Sequence, residues 1–364
     1  MKNTFGTSVA VTIFGESHGE YIGAVIDGIA PGIRIDEDYL GAMLSRRRPQ
    51  GRISTSRVEA DAYSIVSGAF EGYTTGTPLT IIIPNTNKRS GDYKNLSRTP
   101  RPGHADYTAE CKYHGFQDYR GGGHFSGRIT AAVVCAGAIL SHALLEKGIK
   151  IGTHISSLRG ISDRGFEDLD ADIAALSGEG FPTLSVEAGD EMRRAIEAVA
   201  SRGDSVGGVL ETVITGLPAG LGEPWFDSVE SMLAHGLFAI PGIKGVEFGA
   251  GFGIADMLGS QANDAFRLEG DRVVTGTNNN GGINGGITNG MPLLLRCAVK
   301  PTPSIYKKQD SVDLDKMENT ELQIEGRHDP AIIHRARAVV DAVCAIVCAD
   351  MLSARFGTDF LATK

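Results

Sequence analysis

Glycine fills 48 of the 364 positions, about 13% of the chain against a usual ~7%. The glycines are interleaved with apolar and β-branched residues and do not form a low-complexity tract. Each costs backbone entropy on folding and gains access to positive φ. A chain that keeps so many is therefore committed to frequent tight turns and close backbone approaches. Between the turns, β-branched runs read as strands at 7–14, 21–29, 61–70, 79–84, 150–158, 207–218 and 291–301. Helical patterns fill the rest. "IDEDYLGAMLSRRR" places acidic residues first and arginines last, matching a helix dipole. Ser126 to Glu146 reads as a long apolar helix, 190–205 as an amphipathic helix ended by Gly203, and 226–242 as a helix with an Asp/Ser start. The stretch 329–352 reads as a long helix with Pro330 in its first turn. No Pro/Ser-rich linker divides the chain, so the pattern predicts one α+β domain over 1–364, with long helices packed against antiparallel sheets. The polar stretch 85–106 is long for a connection and is expected to be a mobile, functional loop.

Charge and cysteine usage narrow the function classes. A formal net charge of −9 repels nucleic acid and anionic membrane on average. No run of about 18 apolar residues suggests a membrane span, and the N-terminus lacks the apolar core of a signal peptide. Five irregularly spaced cysteines suit reduced thiols in a cytoplasm. Cys344 and Cys348, four apart on a helical pattern, read as core packing.

Several chemical signatures are missing or incomplete. There is no Gly-Lys dipeptide and hence no P-loop. "GAGFGIADML" has Ile254 where a dinucleotide fingerprint needs its third glycine, so it reads as a glycine-rich turn. "GESHG" (15–19) matches the nucleophile elbow G-x-S-x-G, but a second strand pattern follows it where an elbow enters a helix. A serine hydrolase acting through Ser17 is thus a secondary reading. The arginines say more. Arg46, Arg47, Arg48, Arg52 and Arg57 crowd one short segment of an acidic chain, and Arg98, Arg101, Arg128 and Arg327 flank other motifs. A guanidinium binds phosphate and carboxylate bidentately, so this bias predicts a small polyanionic ligand.

Seven segments occur in order: "FGESHG", "RPGHAD", "YRGGG", "GVEFGAGF", "NNNGGINGGITNG", "KPTPS" and "GRHDP". This set resembles the chorismate synthase family over nearly the whole chain. The resemblance implies long helices between antiparallel sheets, a homotetramer, and a 1,4-anti-elimination of phosphate from 5-enolpyruvylshikimate 3-phosphate that needs reduced FMN. It also implies roles. His18 falls on the histidine that protonates the leaving phosphate, His104 on the one that protonates the flavin, and Asp329 on the aspartate that assists deprotonation. A histidine suits such roles because its ordinary pKa lies near working pH. Arg47 and Arg52 match positions used for NADPH in the family; here they are read, with Arg48, Arg128 and Arg327, as holding substrate anions. Flavin positions fall on His124, Phe125 and Ser126, on Pro241 and Gly242, on Gly285, on Lys300, Pro301, Thr302, Pro303 and Ser304, and on Arg327. No further NADPH-binding domain is visible, so an external flavin reductant is expected. The chain departs from the commoner family pattern at two places. His124-Phe125 stands where an arginine and a serine are common, with Ile129 in place of a glutamate, and Pro241-Gly242 stands where Asn-Ala is common. Pro241 has no N–H to donate. A non-catalytic flavin- or anion-binding relative is the remaining alternative.

Overall fold

The computed structural model describes residues 2–49, 51–54, 60–86, 98–178, 180–324 and 328–363; the side chain of Arg52 is also outside the description. The first sheet is antiparallel. It takes β1 (Thr4–Phe5), β2 (Ala10–Gly15), β3 (Tyr21–Asp27), β4 (Ser64–Ser67) and, after the small hairpin β5 (Ala69–Phe70) and β6 (Tyr73–Thr74), β7 (Leu79–Pro84). Their spatial order is β1-β2-β3-β7-β4. Period-2 burial explains the register: Ile22, Ala24 and Ile26 of β3 and Leu79, Ile81 and Ile83 of β7 all point into the core. Helix α1 (Glu37–Ser45) lies between β3 and β4 in sequence; Asp36 caps it by accepting from Tyr39 N–H at 2.9 Å. Its arginines stand beyond the last turn, not inside it, with Arg46 as the C-cap.

Helix α2 (Asp106–Tyr113) and the long α3 (Thr130–Glu146) lead to the second sheet. That sheet uses β8 (Lys150–Leu158), β9 (Ile161–Ser162), β10 (Gly208–Thr215), β11 (Ile243–Phe248) and β16 (Leu293–Val299) in the order β11-β16-β10-β8-β9. The connections carry α4 (Leu169–Leu176), α5 (Val186–Ala200), α6 (Val229–Phe238), α7 (Gly259–Ala262), the hairpin β12 (Phe266–Glu269)–β13 (Arg272–Thr275) and the hairpin β14 (Ile283–Asn284)–β15 (Ile287–Thr288). A last hairpin, β17 (Gln309–Asp313)–β18 (Glu318–Leu322), precedes α8 (Ile333–Phe356).

Helix α3 packs on β3 and β7 of the first sheet, α8 packs on β8 and β10 of the second, and the two helices pack on each other. The layers are therefore sheet, helix pair, sheet, as expected from the sequence. Small residues permit the close helix contact: a Cβ on Gly137 of α3 would stand 2.4 Å from the Ala342 Cβ of α8. By length and composition Gly127–Glu146 could cross a membrane, with a mean hydropathy of 1.8, yet 83% of that window is buried inside the protein. The expectation that no stretch would pass such a test is thereby corrected. Three further differences have local causes. Helix α5 starts at Val186 because Ser185 caps it, accepting from Ala188 N–H at 3.2 Å. Pro330 lies before α8, where its carbonyl accepts from Val206 N–H at 2.8 Å. The eight-residue helices α2 and α4 are too short for their periodicity to stand out.

Candidate active site

The loop after α2 carries the glycine triplet. Gly121, Gly122 and Gly123 have φ of +61°, +83° and +53°, a run that L side chains rarely adopt. Gly121 and Gly123 also stand too close to a neighbour for a side chain. A Cβ on Gly121 would be 2.7 Å from Cδ2 and Nε2 of His18, and one on Gly122 would be 3.4 Å from Cε1 and Nε2 of His104. One on Gly123 would overlap the Asp118 carbonyl at 1.9 Å. Successive glycines thus receive the two histidines that the sequence singled out. The loop is tied to the β2–β3 turn, where Ser17 N–H donates to the Gly123 carbonyl at 3.0 Å and His124 Nδ1–H donates to the Gly15 carbonyl at 2.8 Å. His18 is 5% exposed and Ser17 is fully buried, its hydroxyl without a partner among the described residues.

His104 belongs to a second cluster. Its Nδ1 lies 2.6 Å from Asp106 Oδ1. Arg101 grips the same carboxylate with Nε and Nη2, both at 2.8 Å, and with its backbone N–H at 3.0 Å. Burial alone would raise the Asp106 pKa; the hydrogen bonds from Arg101 and His104 outweigh it and hold the carboxyl well below its usual value. The segment is docked on the loop that follows β16. Arg101 Nη1 donates to Ser304 Oγ at 3.3 Å, Lys300 Nζ donates to the Gly103 carbonyl, and Pro303 lies 3.6 Å from where a Gly103 Cβ would be. Lys300 N–H in turn donates to the Gly242 carbonyl at 2.9 Å, and Ile332 packs 3.2 Å from a Gly242 Cβ position. A continuous line of contacts therefore joins His18, the glycine loop, His104, Lys300–Ser304, Gly242 and the start of α8.

The arginines meet elsewhere along this line. Asp61, at φ +52° and 4% exposed, takes Arg47 Nη1 at 2.5 Å on one carboxylate oxygen and Arg128 Nη1 on the other. Burial would raise the Asp61 pKa, but the charges of Arg47 and Arg128 prevail and lower it. Arg128 also donates to Asn85 Oδ1 at 2.9 Å and to the Pro84 carbonyl at 3.2 Å. Asn85 Nδ2 bonds the Glu16 and Gly19 carbonyls, both at 3.0 Å, so this cluster reaches back to the β2–β3 turn. Arg48 donates to the Ala60 carbonyl at 3.0 Å. Arg57, Arg327 and residues 87–97 of the expected mobile loop at 85–106 lie outside the described residues. The described end of that loop is pinned: Ser311 Oγ bonds the Pro100 carbonyl at 2.6 Å and Leu314 N–H the Arg98 carbonyl at 3.0 Å.

The remaining predicted residues divide. Asp329 Oδ2 accepts from Arg335 Nη2 at 2.5 Å, just ahead of α8. Ser126 accepts from Arg128 N–H at 3.2 Å and so caps a short 3₁₀ turn. Phe125 meets Tyr113 edge-on, with centroids 6.1 Å apart. Both Phe125 and His124 wall a cavity of about 320 Å³ shared with Phe14, Tyr113, Glu16 and Asp118, a lining with no cationic side chain. Pro241 is exposed beside Gly242. Gly285 sits in the β14–β15 turn, with φ +62°.

A family model described as chorismate synthase matches residues 9–353. The chain belongs to the chorismate synthase family. It is 46% identical over 350 residues to a chorismate synthase of Thermococcus gammatolerans, covering 96% of this chain and 97% of that one. A chorismate synthase of Dehalococcoides mccartyi is also 46% identical, over 96% of both chains. Among solved structures, a crystal structure of a chorismate synthase superposes with a TM-score of 0.75 at 29% identity, over 98% of this chain and 94% of that one. The activity is that of the family: a carbon–oxygen lyase of the shikimate pathway, acting on a phosphorylated substrate.

Membership in the chorismate synthase family disposes of the hydrolase reading, and so does geometry. Gly19 is followed by strand β3, not by a helix, so Ser17 is not displayed on an elbow. "GAGFGIADML" forms a glycine turn and a short 3₁₀ helix, not a nucleotide-binding crossover. Cys344 and Cys348 are buried in α8, as core packing requires. The residues that sequence reasoning did not assign are Asp61, Asn85 and Asp106. Asp106 stood inside the quoted "RPGHAD", and its spacing two residues from His104 was the signal available. Asp61 and Asn85 gave none, because their partners are remote in sequence.

Proposed function

We propose that the chain converts 5-enolpyruvylshikimate 3-phosphate to chorismate and phosphate with reduced FMN as cofactor, and that His18, His104 and Asp329 are its acid–base residues. The observation that carries the assignment is the packing of His18 and His104 against successive glycines of one buried loop. Two proton-handling groups are thereby held at neighbouring backbone positions, about 3.8 Å apart along the chain. His18 stands beside the partnerless Ser17 hydroxyl and holds a proton for the departing phosphate. His104 serves at the next position, and Asp329 accepts a proton from the far side of the line of contacts.

The residues at Lys300–Ser304 fit a bound flavin. Thr302 Oγ1 is buried without a hydrogen-bond partner among the described residues, and Gly242, at φ +97°, is tied to the start of the same stretch by Lys300 N–H at 2.9 Å. Lys300, Pro301, Thr302, Pro303 and Ser304 would hold the cofactor with Pro241, Gly242 and Ser126; Gly285 and Arg327 complete the proposed set. Reduced FMN supplies electron density to the C–O bond being broken and a basic atom for the proton being lost. Arg47, Arg48, Arg52, Arg128 and Arg327 serve the substrate's carboxylates and phosphate. The acidic Glu16 and Asp118 in the neighbouring cavity favour the arginine side for those anions.

The same reading includes a homotetramer, an external flavin reductant and a cytoplasmic setting. Self-association is supported by exposed apolar residues along the stretch 252–268: Phe252 at 87%, Leu258 at 69%, Phe266 at 67% and Leu268 at 74% exposure. The cytoplasm is supported by five cysteines without disulfides. An anaerobic assay with purified protein, substrate and reduced FMN tests the proposal through chorismate absorbance and phosphate release. His18→Ala and His104→Ala should each lower kcat on the order of 10²-fold or more. Wild-type protein that yields no chorismate with reduced flavin present would overturn it.

A further inference from the structure

We propose that Asp106 is a positioning residue for His104: it fixes the imidazole as the Nδ1–H tautomer, leaving Nε2 turned to the glycine loop. The inference rests on the assignment of His104 to the acid–base set above. Two groups compete for Nδ1. Asp106 Oδ1 lies 2.6 Å from it and Arg101 Nη2 lies 3.0 Å from it. If Nδ1 carried no proton, its lone pair would face a carboxylate oxygen at 2.6 Å with nothing between them, which is repulsive. With a proton on Nδ1, that distance is a short charge-assisted hydrogen bond. The Arg101 contact to the ring then follows from both groups seeking one carboxylate, since Nη2 also donates to Asp106 Oδ1 at 2.8 Å.

The carboxylate is itself immobilised. Arg101 reaches both of its oxygens through Nε and Nη2, and a backbone N–H adds a third bond. Asp106 opens α2, where a negative charge suits the helix N-terminus. Arg101 is anchored at Ser304, so the ring orientation of His104 is set from the loop that follows β16. The opposite ring edge, Cε1 and Nε2, faces Gly122, 3.4 Å from where a Cβ would stand, on a backbone at φ +83° that favours glycine. His104 can therefore exchange a proton at Nε2 without turning, in the manner of a histidine oriented by a buried carboxylate.

The test uses the full-length protein and two readouts. Long-range ¹H–¹⁵N correlation on the wild type should show His104 protonated at Nδ1. A wild-type ring protonated at Nε2 alone would overturn the proposal, and this arm needs neither a variant nor turnover. Asp106→Asn should let Arg101 or the new amide donate to Nδ1 and move the proton to Nε2. It should lower kcat on the order of 10- to 100-fold with KM changed less than about threefold. In a His104→Ala background, Asp106→Asn should cost nothing more, because its effect passes through the imidazole. Losses that multiply in the double variant would show that Asp106 acts by another route. Failure of the wild type to make chorismate would sink the activity assignment instead, and the tautomer measurement would still decide the role of Asp106.

Discussion

At the scale of single residues, the site is made by what glycine lacks. A methyl group at Gly121 would meet the His18 ring at 2.7 Å from a backbone already at φ +61°. Gly121→Ala should therefore lower turnover at least about tenfold by displacing His18, while a thermal-shift measurement shows a smaller stability loss, roughly 1–2 kcal/mol. Equal turnover in the variant would mean that His18 need not hold this position. Asp61 poses the opposite problem. Its carboxylate stands between two largely buried guanidinium groups, so Asp61→Asn leaves two cations sharing a neutral amide. Loss of a buried ionic partner costs about 3–5 kcal/mol, and urea unfolding should report a loss of that order. The glycine triplet and the histidines were legible as motif residues. Asp61 was not, because nothing near it in sequence announces that Arg47 and Arg128 converge there.

At the scale of elements, periodicity carried most of the reading. Strand β7 falls on the predicted 79–84 because its buried residues alternate regularly, and β8 on 150–158 although four successive residues of it are buried. Patterns failed where a cap or a tertiary contact decided the boundary, as at Ser185 before α5 and at Pro330 before α8. The pairing of α3 and α8 depends on side-chain volume at one crossing. Gly137→Leu inserts four carbons where even a Cβ would lie 2.4 Å from Ala342. Overpacking of this kind costs about 1–3 kcal/mol or more, measurable as a lower denaturation midpoint. A helix pair that absorbed the leucine unchanged would mean the layers are looser than the contact implies.

At the scale of the whole molecule, stability should depend on pH from both sides. His154 is buried, which alone would lower its pKa, but hydrogen bonds to Asp163 at 2.9 Å and Glu211 at 3.1 Å raise it. A raised value means that the folded state holds the proton more tightly. This contribution is full below the ordinary histidine value of about 6.5 and fades as pH climbs through and above it. The carboxylates Asp61, Asp106 and Asp163 are held below their usual values, so their contribution is present above about pH 4 and fades as pH falls further. Urea midpoints measured from about pH 2.5 to 9 should be highest between about pH 4 and 6.5 and fall on either side. His154→Gln should flatten the alkaline side; an unchanged slope would remove His154 as its cause. Assembly belongs to this scale as well. Leu258→Glu with Phe266→Glu should reduce the mass measured in solution if the exposed apolar region between β11 and β14 joins subunits.

The amino-acid sequence by itself determined the α+β class, the long central helices, most strand positions and the ordered motifs that mark the family. These follow from local spacing, turn chemistry and residue type, which a linear chain displays. Only the tertiary structure decided which residues meet. It set His18 and His104 against adjacent glycines, bound His104 to Asp106 and Arg101, and gathered Arg47 and Arg128 on Asp61. The contact that anchors Arg101 at Ser304 spans 203 residues, and such pairings arise because two packed sheets and a helix pair bring remote segments together.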